Sequence, residues 1–144
     1  MNVICTFTID GRVAALPIDS VREILREPLV TPVPLAPEGV AGVINVRGTI
    51  VTAVDLRHRL GLGSVDAHDC LLLRNGDEVV GALVDAVGDV VEIHGAEHHE
   101  VPPTVPAGLR RFARSAVDVD GQLVLLLEVD VVAATPSTLS KERP

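Results

Sequence analysis

The chain has 144 residues, a net charge of −8 and two aromatic side chains, Phe7 and Phe112. That acidic, aromatic-poor composition excludes a sequence-independent nucleic-acid binder, which needs a basic face and stacking platforms. Hydrophobic residues make up 47%, mainly aliphatic, so a real core is available, and valine's branched Cβ tilts it toward strands. The length fits one ordinary domain or two very small ones. No run approaches the roughly 18 apolar residues of a membrane span. No basic stretch precedes an apolar block at the N-terminus, so a soluble, cytoplasmic chain is expected. Cys5 and Cys70 lie in apolar runs without CxxC spacing and read as buried, reduced thiols.

Residues 3–9 alternate apolar and polar, the period of a half-buried strand. Asp10-Gly11 is a hairpin turn, and residues 12–16 form the return strand. Ser20 stands three residues before Glu23, the spacing of a capping box, which predicts a helix of about two turns through Ile24-Leu25. Residues 30–34 carry Pro32 and Pro34 and read as an extended edge strand. Residues 40–46 and 49–54 are strands around Arg47-Gly48, and residues 56–60 a helical turn closed by Gly61.

Residues 61–68 are polar and Gly-bearing, the best internal boundary. Strands follow at 70–73 and 78–84 around Asn75-Gly76-Asp77, then a kink at Gly88 and a strand at 90–93. Residues 95–108 form a long loop, 112–118 and 122–129 a hairpin, 129–134 a short helix, and 135–144 a polar tail expected to be disordered. Two groups of short strands with almost no helix predict a mainly β fold of two small five-stranded barrels, one over residues 1–62 and one over 68–134.

Several pieces fall in one order along the chain. They are Phe7-Thr8-Ile9, Leu16-Pro17-Ile18, Val21-Arg22-Glu23-Ile24, Thr31-Pro32-Val33-Pro34 and Gly42…Asn45-Val46-Arg47-Gly48…Asp55-Leu56-Arg57. Val80-Gly81…Val84-Asp85-Ala86-Val87-Gly88-Asp89-Val90 and residues 125–129 complete them. On these residues the chain resembles the CheW-like domain family over about residues 3–134. It departs from the family pattern at Thr52, where a proline is usual.

The resemblance implies a pair of SH3-like barrels in a non-catalytic adaptor, without cofactor. Its partners would be a chemoreceptor's cytoplasmic tip and the regulatory domain of a CheA-type histidine kinase. It places a receptor-binding groove between the barrels, with Val21, Glu23, Gly42, Arg47, Gly48, Gly81, Val87 and Val90 as candidate residues and a Glu23–Arg47 pair across two elements. It also offers Asp55, Leu56 and Arg57 as a kinase-facing surface.

Each assignment has a plainer alternative. The Glu23–Arg47 pair could simply tie two elements together. The three valines could all be core, and Gly42 and Gly81 could serve close backbone approach. Asp55 could be no more than a helix cap. His94, His98 and His99 with Glu97 and Glu100 raise a different class, a metal-binding or enzymatic barrel using that loop. Gly95 and the following prolines favour a solvated loop instead, and no hydrolase nucleophile motif or Gly-rich phosphate cradle occurs.

Overall fold

The computed structural model describes residues 2–63, 68–94 and 98–134. The strands are β1 Asn2–Ile9, β2 Arg12–Pro17, β3 Val21–Leu25, β4 Val40–Val46, β5 Thr49–Asp55, β6 Asp69–Asn75, β7 Glu78–Val84, β8 Ala86–Ile93, β9 His98–His99, β10 Ala113–Val119 and β11 Gln122–Leu127. Single-turn helices are α1 Leu56–Arg59, α2 Ala107–Arg110 and α3 Val129–Val132. The predicted tail at 135–144 lies outside the described residues.

Four hairpins follow from local turn chemistry. Asp10-Gly11, Arg47-Gly48 and Asp120-Gly121 each have two successive positive φ angles, the type I′ pattern whose twist matches its flanking strands. At Gly76-Asp77 only the glycine is positive, the type II′ pattern.

The strands form a six-stranded sheet, β8-β1-β2-β11-β10-β9, and a five-stranded sheet, β3-β6-β7-β5-β4. This corrects the sequential split at residues 61–68. The N-terminal hairpin β1–β2 belongs with the C-terminal strands, joined by the parallel pairing of β2 with β11 at Ala14↔Leu125 and Ala15↔Leu126. The chain passes between sheets at Ile18–Ser20, a 3-10 turn, and again at Asp85, between β7 and β8. A local propensity reading cannot see such long-range pairing.

Strand alternation then builds three cores. Ala14, Leu16, Leu125 and Leu127 from one sheet meet Leu71, Leu73, Val80, Ala82 and Val84 from the other in the core between them. The opposite faces fill each sheet's own interior. Ala15, Val124 and Leu126 do so in the six-stranded unit, and Cys70, Leu72 and Leu83 in the five-stranded one. Runs such as Cys70–Leu73 are therefore apolar at every position because both faces are covered. The largest core is the shared one, so the two barrels pack as one body.

Two elements differ from expectation. The helix predicted around Glu23 is instead strand β3, paired with β6 through Val21↔Leu73, Glu23↔Leu72 and Ile24↔Leu71. The Ser20 hydroxyl bonds back to the Pro17 carbonyl at 2.6 Å, and no side-chain cap forms. Burial of β-branched Val21 and Ile24 against the shared core outweighs a capping box that spans too few residues for a stable helix. The edge strand expected at 30–34 reduces to one bridge, Thr31↔Val43.

The loop after that bridge carries an anomaly. Ala36 N–H bonds the Val33 carbonyl at 3.2 Å, closing a turn with Pro34 and Leu35 at its centre. Leu35 has φ +60 and is fully exposed. A left-handed conformation costs an L-residue about 1–2 kcal/mol, and no burial offsets it here. Leu35→Asn, which tolerates this conformation, should raise stability by about 1 kcal/mol in denaturant titration.

Candidate functional site

The sequence Asn45-Val46-Arg47-Gly48-Thr49 places an arginine at a two-residue turn. Arg47 has φ +50 and Gly48 φ +88, and the Asn45 side-chain oxygen accepts the Gly48 N–H at 2.8 Å. From there the guanidinium forms a two-pronged contact with Glu23, Nη1 to Oε2 at 2.9 Å and Nη2 to Oε1 at 2.5 Å. The hydrogen bond from Arg47 holds the Glu23 carboxyl below its ordinary range. The expected pair therefore forms, although Glu23 projects from a strand rather than a helix.

Its position explains its geometry. Strands β3 and β4 are the two edges of the five-stranded sheet. Two links span the gap between them: the Arg47–Glu23 pair and, further along, the Thr31–Val43 bridge with two bonds of 2.9 Å. Between these links lies a depression of about 480 Å³ floored by Ile24, Leu25, Ile44 and Val46 and edged by Arg26, Leu29 and Arg47. On the other side of Arg47 a second depression of about 240 Å³ opens at the barrel mouth, with Arg22, Glu23, Val51, Leu72 and Val79. The guanidinium thus stands, largely exposed, between two shallow depressions of mixed polar and apolar lining.

The other candidates divide. Val90 is 55% exposed on β8, whereas Val87, three residues earlier, is only 7% exposed and packs in the shared core. Val87 therefore cannot offer its side chain to a groove, and its expected role there is corrected. Val21 is half-buried against the same core. Gly42 has φ +154, and a Cβ there would lie 2.2 Å from the Thr31 carbonyl oxygen, so it serves the edge bridge. A Cβ on Gly81 would meet Cys70 Sγ at 2.9 Å, inside the barrel. Both glycines are packing requirements.

Of the trio expected to face the kinase, Leu56 cannot offer its side chain, and Asp55 and Arg57 are engaged within the chain. Asp55 caps α1 by accepting the His58 N–H at 3.3 Å. Leu56 is fully buried. The Arg57 side chain, 13% exposed, bonds Asp85 Oδ2 at 2.9 Å, Asp10 Oδ1 at 3.5 Å and the Gly63 carbonyl. Asp10 lies in the β1–β2 turn and Asp85 at the crossover, so Arg57 joins the two barrels rather than facing outward.

At the histidine loop, His98 Nδ1 meets Ser115 Oγ at 3.3 Å on the β9–β10 edge. Among the described residues no group of three or more His, Cys, Asp or Glu could hold a metal. Glu97 lies outside the described residues.

A second polar node went unnoticed in the sequence. Asp69 Oδ2 accepts the Val87 N–H at 2.9 Å, Oδ1 accepts the Glu27 N–H at 3.1 Å, and Arg26 Nη1 approaches Oδ2 at 3.3 Å. Burial disfavours the charged carboxylate, but these donors outweigh it and hold its pKa below the usual range. The only available signal was an aspartate opening an apolar strand.

A CheW-like domain model matches residues 4–136. The chain belongs to the CheW-like family. It is 36% identical over 118 residues to the chemotaxis protein CheW of Rhizobium meliloti (strain 1021), covering 80% of this chain and 76% of that protein. It is 30% identical over 131 residues to the chemotaxis protein CheW of Thermotoga maritima, covering 90% and 85%. The crystal structure of the scaffolding protein TtCheW from Thermoanaerobacter tengcongensis superposes with a TM-score of 0.80 over 94% of each chain at 24% identity, a match of fold. The CheW-like fold accounts for the interleaved sheets. Within it, the Arg47 side chain is 71% exposed, whereas Gly42, Leu56 and Arg57 are engaged in packing or ion pairs within the chain.

Proposed function

We propose that this chain is a non-catalytic cytoplasmic adaptor that couples a chemoreceptor's tip to the regulatory domain of a CheA-type histidine kinase. Curated relatives carry the chemotaxis CheW name over most of their length. Among the described residues no helix is long and apolar enough to cross a membrane, which accords with a peripheral role.

The observation that carries the reading is Arg47. A type I′ turn favours Asn, Asp or Gly at that position, so arginine is a poor choice for the turn itself. A solvated ion pair adds little to stability. What the arrangement does supply is a planar cation held by Glu23 between two depressions of mixed polar and apolar lining. That suits an amphipathic helix carrying a carboxylate or exposed carbonyl. Val90, exposed on β8, and half-buried Val21 on β3 are further apolar candidates for the same partner.

The test is capture of a receptor-tip fragment and a kinase regulatory domain by the parent chain, Arg47→Ala and Arg47→Asn. Arg47→Asn fits the turn and should melt at or above the parent temperature. It should weaken receptor capture at least about tenfold. Equal capture by a folded Arg47→Asn would remove Arg47 from the site.

A further inference from the structure

Strand β8 follows an irregular path beside the five-stranded barrel, and two polar devices shape it. The first is a bulge. Cys5 pairs with Val90 and Phe7 with Val87, so Thr6 faces both Gly88 and Asp89. The Thr6 hydroxyl accepts the Asp89 N–H at 2.9 Å and donates to the Asp89 carbonyl at 3.2 Å. A Cβ on Gly88 would stand 2.6 Å from that hydroxyl, so the bulge requires glycine.

The second device comes from the opposite barrel. The Val87 peptide is held on both sides: its N–H by Asp69 and its carbonyl by Arg26 Nη1 at 3.0 Å. Arg26 follows directly on β3, and Asp69 opens β6. Asp69 also accepts the N–H of Glu27, whose φ of +42 turns the chain sharply away from β3. One carboxylate and one guanidinium therefore join the exit of β3, the start of β6 and the backbone of β8. The bulge sits immediately beyond, between Val87, which is buried, and Val90, which is 55% exposed.

We propose that Asp69 and Arg26 are positioning residues for the junction of the two barrels. They set the spacing between β8, which carries Val90, and β3, which carries Val21 and Glu23. The assignment of these candidate residues to a chemoreceptor rests on the reading given under Proposed function. Asp69 acts through Val87 and Glu27, since only 10% of its side chain reaches solvent.

Spin labels at Arg22→Cys on β3 and Glu92→Cys on β8 report the spacing by pulsed dipolar spectroscopy in the full chain. The native thiols do not compete: both cysteines are buried, and burial pushes the Cys70 thiol up to about 12. Asp69→Asn keeps the side chain's size but loses its charge. Arg26→Gln leaves both backbone bonds to Asp69 intact and carries the test if Asp69→Asn does not fold. The folded variants should show a broader, displaced distance distribution and about tenfold weaker receptor-tip capture, with kinase-domain capture unchanged. An unaltered distribution, or an altered one with full receptor capture, overturns the positioning role. A parent chain that captures no receptor tip overturns the receptor reading instead.

Discussion

Gly42→Ala lowers the melting temperature by roughly 10 °C, the expected consequence of losing about 3 kcal/mol in a chain of this size. The methyl group would lie 2.2 Å from Thr31 O and 2.8 Å from its carbonyl carbon. Both atoms are backbone, so no side-chain rotation relieves the contact. The bridge that holds Thr31 against Val43 must open, and its two hydrogen bonds of 2.9 Å go with it. Overpacking costs about 1–3 kcal/mol, each lost bond about 0.5–1.5, and the left-handed φ adds its own strain. Gly48→Ala is the internal comparison. Its φ is +88, but nothing lies within 4 Å of the added atom, so only the backbone strain applies, about 1–2 kcal/mol. Equal losses for the two variants by calorimetry would mean that the close approach at Thr31 relaxes freely.

Arg57→Ala should cost about 2 kcal/mol, because it removes one partner of a partly buried ionic cluster. Asp85 Oδ2 would keep only the Asp10 N–H at 2.8 Å. Asp85 Oδ1 is already buried without a hydrogen-bond partner among the described residues, so the uncompensated charge stays in a poorly solvated place. Arg57→Lys tests the geometry. An ammonium can reach one carboxylate but cannot address Asp85, Asp10 and Gly63 together from a planar fork, so lysine should recover only part of the loss in chemical denaturation. Full recovery would reduce Arg57 to a point charge. In neither variant should a folded sample lose kinase-domain capture through a missing surface contact, because Arg57 faces the barrel junction.

Local signals were legible where local chemistry decides. The X-Gly turns at residues 10–11, 47–48 and 120–121, the Asp55 cap and the irregularity at Gly88 could each be read from a few residues. Glu23 misled because Ser20-x-x-Glu23 satisfies a helix signal while Val21 and Ile24 satisfy a strand, and only the presence of β6 alongside decides between them. Val87 and Val90 look alike in sequence. They separate only in the fold, where Val87 is covered by the shared core and Val90 is left 55% exposed. Asp69 and Arg26 gave no readable pattern, since their partners lie on β8 and at Glu27.

By itself the sequence determined the strand-rich class, the turn positions and the ordered motif set that carries the family. Those depend on side-chain type, spacing and φ preference over a few residues. Tertiary structure alone decided which strands share a sheet, because the parallel pairing of β2 with β11 joins residues more than a hundred positions apart. It also decided which charges are enclosed and which stay exposed. Arg57 and Arg47 are both arginines beside apolar strands. One is enclosed by carboxylates brought in from the other barrel, while the other is lifted by a left-handed turn onto an open edge.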